Sequence, residues 1–259
     1  MGARSTTRSR KPALHPDDAD ARALPLGMTA GREDVAIEAS NVARRFGAHW
    51  VLRGVTLRVD AGEVVGVLGA NGTGKSTLLR VVATLLRTHV GTLHVFGADI
   101  ATAPEDVRAM VGYMSHAPGL YDDLTARENL RFAADMLDRD PRDVEDTLER
   151  VGLTYAADKT VRGFSSGMQR RLAIGRLLLA RPRLLLLDEP YSNLDQSGVD
   201  VVNAVIGDCV SRGGAALIVL HEVATAAPVL DRTVRLVDGR VSDDEMQIAP
   251  GRRRMTSVR

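Results

Sequence analysis

The chain has 259 residues, 34 Lys plus Arg against 33 Asp plus Glu, and a single cysteine. That length allows one large or two small domains with a proper core, and a net charge of +1 without a basic stripe argues against a nucleic-acid partner. One cysteine excludes a disulfide framework or zinc-ligand cluster and fits a reducing, cytosolic compartment, while no segment reaches the roughly 18 to 20 apolar residues of a spanning helix.

Residues 1–34 are dominated by Ser, Thr, Arg, Pro and Asp and read as a disordered arm. Strands are predicted over Val35–Glu38 and Val51–Val59, and Val64–Leu68 then runs into Gly69, Ala70, Asn71, Gly72, Thr73, Gly74, Lys75 and Ser76. This is G-x-x-x-x-G-K-S, and the apolar-periodic stretch from Thr77 to Val82 follows it. Strand, glycine-rich loop and helix form the setting of a phosphate-binding loop. Three glycines let successive backbone N–H groups turn inward as an anion nest, and the helix points its positive end at the same place. Lys75 reaches the outer phosphates and the Ser76 hydroxyl takes a position on Mg²⁺. Lysine is rare here, occurring only at Lys11, Lys75 and Lys159. Its presence in the loop fits a point charge where a planar guanidinium would not.

Another short strand is predicted over Thr92–Val95. From about Pro104 to Leu179 helical patterns dominate, with helices over Ala126–Leu137, Asp143–Val151 and Gly167–Ala180. Leu184–Leu187 then reads as a strand buried on both faces, ending at Asp188 and Glu189. An Asp at that end is placed to hold Mg²⁺, directly or through water. Glu189, pointing the other way, can polarise an attacking water. Helix Gln196–Val210 and strands Ala216–Leu220 and Thr233–Val237 complete the pattern. Strands alternating with helices indicate an α/β core with a partly parallel sheet. A basic tail is expected over residues 246–259.

The order of these motifs, with Phe164-Ser165-Ser166-Gly167-Met168-Gln169-Arg170-Arg171, resembles the ATPase subunit of ATP-binding-cassette (ABC) transporters over roughly Val35 to Val241. That segment looks like the family signature L-S-G-G-Q followed by Q-R. The resemblance implies a P-loop NTPase fold with a RecA-like mixed-sheet core, a small antiparallel β subdomain and a helical insertion. The ATPase domain would span residues 35–245, with the helical part at about 104–179. It also implies binding and hydrolysis of ATP with Mg²⁺, catalysed by Lys75, Glu189 and His221, the last matching the switch histidine. Phe46 falls where the family stacks an aromatic on adenine. Ser165, Ser166, Gly167 and Met168 would contact the ATP held by a second ATPase subunit in a head-to-tail dimer. Asp195 belongs to the loop that reaches across. Integral-membrane permease chains would be the other partners, keeping the chain on the cytoplasmic face of the membrane.

Departures from the family pattern are informative. His116 stands where the family has a glutamine near Mg²⁺. Imidazole is a softer and poorer ligand for this hard ion, which predicts contact through water. Met168 replaces the glutamine closing the signature, and Ser166 a glycine. His116-Ala117-Pro118-Gly119 with Leu124-Thr125-Ala126-Arg127-Glu128-Asn129-Leu130 resembles the haem-exporter ATPase of cytochrome c maturation. The signature and Asp188-Glu189-Pro190-Tyr191 are also similar to efflux ATPases for drugs, lipids or polysaccharides. A cassette ATPase acting on ribosomes or DNA is disfavoured by the single cassette and the lack of a coiled-coil insertion.

Overall fold

The computed structural model describes residues 34–247. The arm expected over 1–34 and the tail expected over 246–259 lie outside them, apart from Asp34 and Met246–Gln247. Strands β1 (Val35–Phe46), β2 (His49–Asp60), β4 (Val90–Val95) and β5 (Ala98–Asp99) form an antiparallel sheet in the order β2-β1-β4-β5. A second, six-stranded sheet contains β3 (Val64–Leu68), β6 (Val111–Met114), β7 (Leu184–Asp188), β8 (Ala215–Val219), β9 (Arg232–Val237) and β10 (Arg240–Gln247). Its order is β10-β9-β3-β8-β7-β6, parallel throughout except for the β9–β10 hairpin. The strand β6 falls inside the range expected to be helical. Four residues are too few for periodicity to distinguish a strand from a helical segment, and pairing with β7 decides the matter.

The large sheet is covered on both faces, and β7 shows why its sequence is a leucine run. Leu184 and Leu186 join a core shared with the antiparallel sheet, whereas Leu185 and Leu187 face the helical side. All four are buried. Strand geometry sends alternate side chains to opposite faces, so each position needs an apolar residue, and burying each contributes roughly 2 kcal/mol.

Helix α1 (Lys75–Val82) follows the phosphate-binding loop and buries Leu78, Leu79, Val81 and Val82 against the antiparallel-sheet core. After α2 (Pro104–Met110), the other core is built by α3 (Ala126–Met136), α4 (Arg142–Arg150), α5 (Ser166–Ala180) and α6 (Gln196–Ser211). The start of α3 explains the Leu-Thr-Ala-Arg-Glu-Asn-Leu run physically. Thr125 Oγ1 accepts from the Glu128 N–H at 3.1 Å, and Glu128 Oε2 accepts from the Thr125 N–H at 2.8 Å, a reciprocal cap. Buried Asn129 accepts from the Tyr121 N–H at 2.9 Å and donates to the Tyr121 and Thr125 carbonyls at 3.0 and 2.9 Å. This motif therefore fixes the loop entering α3.

Cys209 on α6 is buried, its Sγ 3.5 Å from the Pro182 carbonyl, and burial pushes its thiol pKa up to about 11. Because the thiolate is the reactive form, iodoacetamide at pH 8 should modify the native chain on the order of a hundredfold more slowly than the unfolded chain. Mass spectrometry of timed samples measures the two rates; equal rates would show that the fold does not shield the thiol.

Candidate nucleotide site

Four parallel strands deliver the candidate residues to one edge of the sheet. In the order β6-β7-β8-β3, their carboxyl ends lead to His116, to Asp188 and Glu189, to His221, and to the loop beginning at Gly69. Open α/β sheets bind ligands at this edge because the strand interiors are sealed by apolar packing. The result is a cleft of about 470 Å³ lined by Val51, Asn71, Gly72, Gly74, Lys75, Ser76, Thr77, His116, Glu189 and His221.

Gly69 has φ +150°, and a Cβ there would stand 2.4 Å from the Leu236 carbonyl oxygen, so only glycine fits. Thr73 donates its hydroxyl to the Ala70 carbonyl at 3.0 Å, tightening the loop. Lys75 is buried, and its Nζ donates to the Gly69 and Ala70 carbonyls at 2.7 and 2.9 Å. The loop thus holds its ammonium group at a defined point. Ser76 and Thr77 follow in the first turn of α1.

The acids differ in setting, as their alternating strand positions require. Asp188 ends β7 and is 3% exposed. Glu189 leaves the strand with φ +53°, an uncommon conformation for a residue with a Cβ, while its N–H donates to the Val219 carbonyl at 3.2 Å. Its carboxylate meets two imidazoles: His221 Nε2 lies 2.7 Å from Oε1 and His116 Nδ1 lies 3.6 Å from Oε2. The proximity of His116 to Glu189 has no signal in the sequence, where the two are 73 positions apart.

The signature residues occupy a different surface. Ser165 caps α5, its Oγ accepting from the Met168 N–H at 3.2 Å. Gly167 lies beneath the loop before α6, where a Cβ would come within 2.8 Å of the Asn193 carbonyl. Asp195 is engaged by its own chain: it caps α6 through the Gly198 N–H at 3.0 Å and pairs with Arg171. Those two contacts, the Gly198 N–H first, hold its carboxyl below the usual range. Ser165, Ser166, Gly167, Met168 and Asp195 line a concave surface of about 810 Å³ that shares no residue with the Lys75 cleft.

Phe46, expected beside adenine, ends β1 as an exposed side chain with the Arg44 guanidinium 4.8 Å from its ring centroid. It is not among the residues lining the cleft; Val51 of β2 is the hairpin's contribution. No sequence motif marked Val51, since a valine in a strand carries no site signal.

Oxygen donors for Mg²⁺ are present in Ser76, on the cleft wall, and Asp188, at the strand end. Among the described residues no cluster of three or more His, Cys, Asp or Glu could hold a metal ion alone.

Comparison with known proteins agrees with this geometry. The family model described as ABC transporter matches residues 52–192. The chain is 36% identical over 191 residues to the cytochrome c biogenesis ATP-binding export protein CcmA 2 of Cupriavidus metallidurans, covering 73% of this chain and 90% of that protein. It is also 36% identical over 208 residues to a fluoroquinolones export ATP-binding protein of Mycobacterium tuberculosis, covering 79% and 69%. The solved structure of an ATP-binding subunit of an ABC transporter superposes with a TM-score of 0.75 at 30% identity, covering 82% of this chain and 90% of that one. A loop that fits a triphosphate, acids at the adjoining strand end and relatives over most of the length lead to one assignment: the chain belongs to the ABC transporter family, as an ATP-hydrolysing, ATP-binding subunit.

Proposed function

We propose that this subunit powers export through a separate membrane-spanning partner, working as a head-to-tail pair in which each copy completes the other's nucleotide site. The observation that carries this reading is the separation of the two surfaces. Lys75, Glu189 and His221 line one cleft, and Ser165–Met168 line another on the same chain. A helix tip with free N–H groups and a serine hydroxyl is an anion site, and a second copy would bring it to the γ-phosphate.

In this reading the backbone of Gly69–Thr77 and the Lys75 ammonium bind the phosphates, and Phe46 packs on the base. Ser76 and Asp188 would hold Mg²⁺, and His116 would act on it through water. The ion, when bound, neutralises charge on the phosphate oxygens. Glu189 orients and polarises the attacking water, while His221, 2.7 Å away, fixes that carboxylate and faces the outer phosphate. Positioning and electrostatics supply most of the rate.

The partner would dock beside the same centre. A groove of about 480 Å³ is bordered by Ala117, Pro118, Phe132, Met136 and Leu177, and Met136 is 74% exposed. Among the described residues no helix is long and apolar enough to cross a membrane, which fits a spanning partner on another chain. For cargo we favour haem delivered to cytochrome c maturation, supported by the His116-Ala117-Pro118-Gly119 segment and the Cupriavidus relative. Drug efflux is the second reading, supported by the mycobacterial relative. Co-purification of a cytochrome-maturation permease that stimulates hydrolysis would favour haem; stimulation by a drug-efflux permease would favour the other.

Glu189→Gln should bind ATP, hydrolyse it roughly 10² to 10⁴ times more slowly, and run as a dimer on gel filtration with Mg-ATP. A monomeric profile would overturn the paired arrangement. His116→Gln should leave basal hydrolysis within about tenfold, or about 1.4 kcal/mol, since glutamine supplies a harder oxygen donor there. A steady-state loss of several orders of magnitude would give His116 a specific role in the chemistry.

A further inference from the structure

Helix α5 carries three arginines, two of which reach the loop between β6 and α3. Arg171 pairs with Asp195 and Ser197 and reaches the Val151 carbonyl. Arg176 donates to the Gly119 carbonyl at 2.6 Å. Arg170 is different, being only 4% exposed and making, among the described residues, a single long hydrogen bond, 3.4 Å from Nη1 to the Ser115 carbonyl. Ser115 immediately precedes His116.

A buried cation with one neutral, distant acceptor is costly, and an apolar side chain of similar volume would satisfy packing alone. Burial pulls the Arg170 guanidinium below the usual arginine value, and the negative charges of Glu189 and Asp188 oppose that. Arg170 is the buried arginine among the described residues.

We propose that Arg170 is a positioning residue of the hydrolytic centre: it holds the backbone at Ser115 so that the neighbouring His116 meets Glu189. It lies five residues beyond Ser165, about 7.5 Å along the same helix. Displacement of the α5 tip would therefore reach the loop at Ser115, which borders the groove. This inference rests on the reading of Asp188 and Glu189 as the hydrolytic acids.

The test is steady-state Mg-ATP hydrolysis by the full chain, with nucleotide binding used to count folded sites. Arg170→Met should lower kcat at least about thirtyfold while KM for ATP stays within about threefold, because the phosphate-binding loop is untouched. Arg170→Lys, which keeps the charge, should recover to within about fivefold of the unaltered chain. A purely structural role would lower the melting temperature, leave kcat per folded site unchanged and make Met and Lys alike. Either a Met variant within about threefold of the unaltered chain or equal impairment of Met and Lys overturns the proposal. Should the Met variant not fold, Arg170→Gln takes its place, and a kcat equal to that of Arg170→Lys overturns it. Glu189→Gln is assayed alongside. Full activity there overturns the underlying reading as well, whereas an inactive Glu189→Gln with an active Arg170→Met overturns this inference alone.

Discussion

A strand sealed on both faces can present polar chemistry only where it ends, and this constraint organises the molecule. The leucines of β7 alternate between two cores, leaving no place along the strand for a charge, so Asp188 and Glu189 appear at its carboxyl end. The neighbouring parallel strands obey the same rule. Their ends supply His116, His221 and the Gly69 loop, and the strand order sets these groups side by side. Any antiparallel strand among the four would send its residue to the far edge.

Within the cleft, local conformations finish what strand order begins. The positive φ of Glu189 turns its carboxylate toward His221, away from the continuing strand direction. Gly69 permits the loop to pass against the Leu236 carbonyl, which places Lys75 over the loop's own oxygens. The signature helix adds a second centre of order. Ser165 caps it, Gly167 admits the Asn193 loop, and its arginines fasten the β6–α3 loop at Ser115 and Gly119 and the loop before α6 at Asp195. A single rod therefore joins the signature surface to the loop at Ser115 and Gly119, which borders the groove.

The phosphate-binding loop, the acids after the leucine strand and the signature were legible in sequence because each is a contiguous pattern whose chemistry depends on immediate neighbours. Strand β6 was not, since four residues carry too little periodicity and only pairing with β7 defines it. Phe46 illustrates the opposite limit. Its place in the motif order marks it for a base contact; the packing of its ring on Arg44 and the presence of Val51 in the cleft are decided by a hairpin register that composition does not encode. Asp195 likewise carried a motif position, while its cap on Gly198 and its pair with Arg171 depend on where α5 meets α6.

By itself the sequence determined that this chain binds and hydrolyses a nucleoside triphosphate, because glycine spacing, lysine and strand-end carboxylates are local requirements of that chemistry. Tertiary structure alone decided that His116 and His221 share one carboxylate, that the signature residues line a separate surface, and that Arg170 is buried against the Ser115 carbonyl. These relations join residues from different strands and helices, and only the packing of two cores around one sheet brings them within contact.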